Sequence, residues 1–98
     1  MLMRWEIINK LIEKNNYKSY LEIGQQKGQT FREIKIKYKE GVDPKPKNTL
    51  GVECKNIMTS DDFFETNDRK FDIIFIDGLH IREQVINDVN NSLSCLNK

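Results

Sequence analysis

The sequence predicts an α/β fold: a four-stranded parallel sheet in strand order 3-2-1-4, with helices on both faces. Three observations carry this expectation. In Tyr20-Leu21-Glu22-Ile23-Gly24-Gln25-Gln26-Lys27-Gly28 an apolar strand runs into a glycine turn with an acid just inside it. The run Phe71 to Ile76 is a second strongly apolar strand, and it stops at Asp77-Gly78. Between and around these, stretches of helical period alternate with short apolar runs, which is the grammar of an open parallel sheet. Right-handed crossovers then leave few topologies, and the order 3-2-1-4 makes the chain reverse its winding between the strand ending at Gly24 and the strand ending at Asp77. Ligands of such sheets bind at that reversal.

The elements follow in order. Leu2, Trp5, Ile8, Leu11 and Ile12 recur at helical spacing with Glu6, Lys10, Glu13 and Lys14 between them, so residues 2 to 14 form an amphipathic helix that Asn15-Asn16 stops. Lys18 to Ile23 is the first strand. Thr30 to Lys35 is a helix of under two turns, capped by Thr30 or Gln29, with Phe31 and Ile34 inward. Tyr38 to Val42 is the second strand, ended by Asp43-Pro44-Lys45-Pro46, where two prolines forbid continuation. A third strand falls within Leu50 to Met58. Ser60 caps the next helix, whose first turn holds Asp61-Asp62 at the positive end of the dipole. Phe71 to Ile76 is the fourth strand. Ile81, Val85, Val89, Leu93 and Leu96 mark the inward face of a last helix running almost to Lys98.

Composition narrows the class. Ninety-eight residues make one domain in which roughly two-thirds of the unfolded chain's surface is buried. Sixteen basic and 15 acidic residues give a net charge of +1, so no global field gathers nucleic acid or anionic lipid, and partners are expected to be small or local. The lysines from Lys35 to Lys47 read as a solvated surface. Cys54 and Cys95 lack metal or disulfide spacing and are expected to be reduced. The longest apolar run, Ile73-Ile74-Phe75-Ile76, is far too short to span a membrane, and Arg4 and Glu6 interrupt any leader, so a cytoplasmic location is expected.

The chemistry-bearing residues gather at strand ends. Gly24 allows close approach of a ligand to the main chain. Glu22 is a half-buried carboxylate, which costs energy unless hydrogen-bonded. Asp43, at the tip of the second strand, offers two oxygens to a vicinal diol, and before Pro44 it equally suits a turn. Asp77 and the single histidine, His80, follow the fourth strand; Asp77 also suits a helix cap and His80 a loop.

Leu21-Glu22-Ile23-Gly24, Gly41-Val42-Asp43-Pro44, Ser60-Asp61-Asp62-Phe63-Phe64 and Phe71-Asp72-Ile73-Ile74-Phe75-Ile76-Asp77-Gly78-Leu79-His80 together resemble class I S-adenosylmethionine-dependent methyltransferases. Within that family they are most similar to small members whose fourth strand ends Ile-Asp-Gly-x-His. The resemblance implies a minimal Rossmann-like three-layer sandwich without the C-terminal strands of the full methyltransferase fold. It implies that S-adenosylmethionine is contacted by Glu22 and Gly24 at its methionine end and by Asp43 at the ribose, with Gln25, Gly28, Thr30, Pro44 and Asp77 among the other cofactor contacts. Ser60, Asp61 and Asp62 would meet the adenine, and Asp77 and His80 would serve as the catalytic pair beside the methyl group and the acceptor.

Two departures stand out. The family turn is commonly Gly-x-Gly-x-Gly, whereas here Gln26 holds the middle place. The family also continues into strands that hold the acceptor and, in metal-assisted members, complete a magnesium site, so no full metal site is expected here. Three functions follow: a methyltransferase of unknown acceptor, a non-catalytic S-adenosylmethionine-binding module or core fragment, and another nucleotide-binding protein. A Gly-x-Gly-x-x-Gly dinucleotide turn would need glycines where Gln26 and Gln29 stand. Phe71 to Ile76 would be an apolar sheet edge, a situation that soluble proteins cover, so a homodimer pairing through this strand is expected.

Overall fold

The computed structural model describes residues 2–77 and 82–97. Its elements are α1 (Arg4–Asn15), β1 (Ser19–Ile23), α2 (Gln29–Glu33), β2 (Tyr38–Val42), a 3-10 turn (Asn48–Leu50), α3 (Ser60–Thr66), β3 (Ile73–Ile76) and α4 (Arg82–Cys95). The chain is an α/β protein whose sheet has three parallel strands in the order β2-β1-β3. In register, Glu22 of β1 lies between Gly41 of β2 and Phe75 of β3, and Ile23 lies between Val42 and Ile76.

The expected four-stranded sheet is thereby corrected to three. The stretch Leu50 to Met58 does run beside β2, but it pairs only once, where Asn56 bridges Val42. Asn56 N–H donates to the Gly41 carbonyl at 3.2 Å and its own carbonyl accepts from Asp43 N–H at 3.1 Å. The local reason is that Cys54 and Asn56 turn their side chains onto the same β2 carbonyl, that of Gly41.

Helices cover both faces, and alternation along β1 decides which residue meets which layer. Tyr20 joins Ile8 and Ile12 of α1 and Phe31 of α2, together with Ile34, on one face. Leu21 and Ile23 join Val42, Phe63 of α3, Phe71 and Cys95 of α4 on the other. From β1 the path steps to β2 through α2, then back over β1 to β3 through α3. Right-handed connections in opposite directions demand helices on opposite faces, and α2 and α3 lie so.

Both long helices sit differently from their hydrophobic pattern. In α1, Ile8 and Ile12 are buried and Trp5 packs on the core, whereas Leu2 and Leu11 are 51% and 44% exposed. In α4 the inward residues are Asp88, Ser92 and Cys95, while Val89 and Leu93, expected inside, are 42% and 63% exposed. Asn16 ends α1 in the left-handed conformation (φ 56°), with Tyr17 N–H donating to the Ile12 carbonyl, so the expected stop at Asn15-Asn16 holds.

Two caps also differ from expectation. Gly28 (φ 84°), with no side-chain oxygen, precedes α2, so neither Thr30 nor Gln29 caps it. Thr59 caps α3 by accepting from Asp62 N–H at 3.2 Å, which leaves the Ser60 hydroxyl free to donate to Asp88. Cys54 and Cys95 are both buried free thiols.

Candidate functional site

Hydrogen bonds align the carboxyl ends of the three strands. Gly24 N–H donates to the Val42 carbonyl at 2.8 Å, and Asp77 N–H donates to the Ile23 carbonyl at 2.7 Å. Gly24, Asp43 and Asp77 therefore stand side by side where β2 and β3 leave β1 in opposite directions. The turn after Gly24 (φ 89°) needs left-handed backbone three times within five residues, at Gly24, Gln26 (φ 52°) and Gly28 (φ 84°). Gln26 adopts the conformation that a glycine would take without strain.

Two clefts open around this turn, one on each face of the sheet. The first, of about 410 Å³, lies on the α1/α2 face and is lined by Met3, Arg4, Trp5, Glu22, Gly24, Gln25, Gln26, Lys27, Gln29, Thr30 and Asp77. The second, of about 150 Å³, lies on the α3/α4 face between Ile23, Gly24, Val42, Pro44, Thr59, Ser60, Asp61, Gln84 and Asp88. Gly24 is common to both.

The larger cleft is strongly polar in its chemistry. Glu22 is 1% exposed and accepts from the Tyr20 hydroxyl. Burial pushes the Glu22 carboxyl up to about 7; the neighbouring Asp77 charge adds to the rise, and the Tyr20 hydrogen bond, Lys39 and Arg4 oppose it. Burial and the Glu22 charge in turn push the Tyr20 phenol far above its ordinary value. Arg4 pairs with Asp77 at 2.7 Å and stacks over the Phe75 ring at 5.9 Å. Gln26 Nε2 donates to the Asp77 carbonyl at 3.0 Å, tying the glycine turn to the end of β3.

The smaller cleft is apolar on its sheet side and polar on its helix side. The two N–H groups of Gln84 Nε2 are shared among Ser60 Oγ at 3.1 Å, Asp61 Oδ1 at 3.2 Å and Asp88 Oδ1 at 3.0 Å, which ties α4 to the first turn of α3.

Of the expected cofactor contacts, Glu22, Gly24, Gln25, Thr30 and Asp77 line the polar cleft, and Gly24, Pro44, Ser60 and Asp61 line the apolar one. Gly28, Asp43 and Asp62 line neither. Asp43 is 8% exposed, and its carboxylate braces the loops: Oδ2 accepts from Gln26 N–H at 2.7 Å and Oδ1 from Lys45 N–H at 2.8 Å. Gly28 is a packing position, where a Cβ would come within 2.7 Å of Val52 Cβ. His80, expected beside Asp77, lies outside the described residues.

Arg4, Gln84 and Asp88 belong to the site without having been read as such. Arg4 is one of several charges on α1, and its reach to Asp77 depends on how α1 lies across the sheet. Gln84 and Asp88 do carry a local signal, since their i, i+4 spacing puts two polar groups on one helix face.

The chain matches no family model, no curated protein and no solved structure.

Proposed function

We propose that this chain binds S-adenosylmethionine across Gly24 and passes its methyl group to an acceptor, with the three-stranded sheet as a minimal Rossmann-like core. The carrying observation is the pair of unlike clefts that share one lining glycine, at the point where the winding of the sheet reverses. A ligand with a zwitterionic end and a flat, weakly polar end matches that division. Lys27 offers a cation to a carboxylate and Glu22, once ionised, an anion to an ammonium or sulfonium group, with the Arg4–Asp77 ion pair beside them. Ile23, Val42 and Pro44 offer an apolar bed for adenine, with Ser60 and Asp61 at its edge.

Asp43 supports a ribose contact on its chemistry. A carboxylate has about four acceptor sites, and its two main-chain donors leave capacity for a diol. When bound, S-adenosylmethionine would supply an electrophilic methyl group, which an acceptor's lone pair would take as the carbon–sulfur electron pair returns to sulfur. The chain's own part is to hold the ligand in line and to screen charge, which is catalysis by proximity and orientation. The free buried cysteines accord with a reducing, cytoplasmic setting. Among the described residues no helix is long and apolar enough to cross a membrane.

A binding module without transfer chemistry is the second reading, and the Arg4–Asp77 ion pair favours it, because Asp77 is then engaged by the protein itself. Calorimetric titration with S-adenosylmethionine, S-adenosylhomocysteine and NAD tests the proposal. Binding of the first two and not the third is expected. Heat with NAD alone would move the assignment to a dinucleotide, and heat with none of the three would overturn it.

A further inference from the structure

We infer that the outer edge of β3, flanked by the outward sides of α1 and α4, is the interface through which two copies of this chain pair about a twofold axis. Among the described residues β3 itself pairs only with β1; on its far side Leu96 bridges Phe71, two residues before the strand, so the main-chain groups left facing outward are those along Ile73–Ile76. An open edge of this kind recruits a strand.

The helices on either face overhang that edge with aliphatic side chains. On α1, Asn9 turns toward α2, bonding the Glu33 carbonyl and Lys35 N–H, whereas Arg4 on the opposite flank reaches Asp77 and Phe75 at β3. Ile7 and Leu11 stand three and seven residues beyond Arg4 and so share its flank, 48% and 44% exposed. On α4, Gln84, Asp88 and Cys95 turn toward Ser60, Asp61 and Asn67 of the α3 side. Ile86, Val89 and Leu93 occupy the other flank at helical spacing, 48%, 42% and 63% exposed. The apolar stripe of α4 therefore faces away from the sheet, on the side of the helix turned from the α3 contacts.

A second copy fits this surface better than an unrelated partner because the surface is self-complementary. A twofold axis perpendicular to the sheet brings β3 against β3 in antiparallel order and sets each helical layer against its own counterpart. Aliphatic flank then meets aliphatic flank on both faces. The acids bordering the strand do not oppose this: Asp77 is paired with Arg4, and Asp72 accepts from Lys18 N–H and Asn97 Nδ2. Five half-exposed aliphatic side chains and a four-residue strand edge amount to roughly 500 Å² on one copy. A symmetric pair then covers about 1,000 Å², the size at which specific association begins.

Sedimentation equilibrium of the full chain at micromolar concentration is expected to give twice the 11.6 kDa chain mass. The exposed double substitution Ile7→Glu with Leu93→Glu is expected to give the single-chain mass, with an unchanged far-ultraviolet spectrum and cooperative melting showing that the fold is intact. A wild-type chain that sediments as a monomer overturns the inference, as does an open ladder of larger species. A double variant that still sediments as a dimer overturns it too, because the contact then lies elsewhere.

Discussion

Tyr20 and Glu22 stand two residues apart on β1 and point to the same face, where the phenol donates its proton to a carboxyl that is 1% exposed. The pair places an acid with a carboxyl raised to about 7 at the floor of the polar cleft. In the unfolded chain the same group titrates near 4.5, so the folded state holds the extra proton between those values. Stability from this group is present below the unfolded value and is lost as pH rises through the folded one, a swing of about 3 kcal/mol at most. Urea unfolding at about pH 5 and about pH 8 should show that fall, and Glu22→Gln, which keeps an acceptor for Tyr20, should flatten it.

The same protonation bears on the proposed binding of S-adenosylmethionine. A cationic group seated against Glu22 favours the ionised carboxylate, so binding near neutral pH should release protons. Calorimetry of S-adenosylmethionine in buffers of different ionisation enthalpy reads that release, and Glu22→Gln should reduce it.

Glu40 behaves in the opposite sense. It is fully buried on β2, where Arg69 Nε and Nη2 reach its two oxygens at 2.9 and 2.7 Å and Asn56 and Tyr38 add further donors. Burial alone would raise its carboxyl, but these bonds outweigh it and hold the group below the ordinary carboxylate range. Its contribution is present above the unfolded value and lost as pH falls. Arg69→Ala should cost about 2 kcal/mol in chemical denaturation, less than the 3–5 of a fully buried pair because the arginine is half exposed.

Gly41→Ala should displace a side chain rather than strain the backbone. A Cβ at Gly41 would fall 1.8 Å from Gln25 Oε1, whose amide is fixed by donating to the Glu53 carbonyl at 2.9 Å. A loss of about 1–3 kcal/mol is expected, and Gln25→Ala in the same chain should recover part of it. Gly28→Ala has no such rescue, since its clash is with Val52 Cβ and its φ is 84°.

Asp43→Ala separates the brace from the ligand contact only if two quantities are measured. Losing the acceptors for Gln26 and Lys45 N–H should lower unfolding free energy by about 1–3 kcal/mol. If the ribose contact is real, affinity for S-adenosylmethionine should fall by a similar amount in the variant that remains folded.

Much of the strand framework was legible because its signals are local. Glycine turns, prolines after Val42 and the run at Phe71 fix strand ends within a residue or two. The stretch 50–58 misled because apolar residues there suggested a strand, whereas tertiary bonds to Gly41 allow only one bridge. The helices misled in rotation: periodicity places Val89 and Leu93 on one face, but Asp88 is drawn inward by Ser60 and Gln84, a contact spanning 28 residues of chain for its first partner. Arg4 and Asp77 are 73 residues apart in sequence, and no local pattern announces such a pair.

Because the clefts lie on opposite faces and share Gly24 in their walls, a molecule long enough to reach over that residue into both would act as a rivet across the upper rim of the sheet. It would clamp α1 to α3, two helices from separate layers, and slow amide exchange on both sides together.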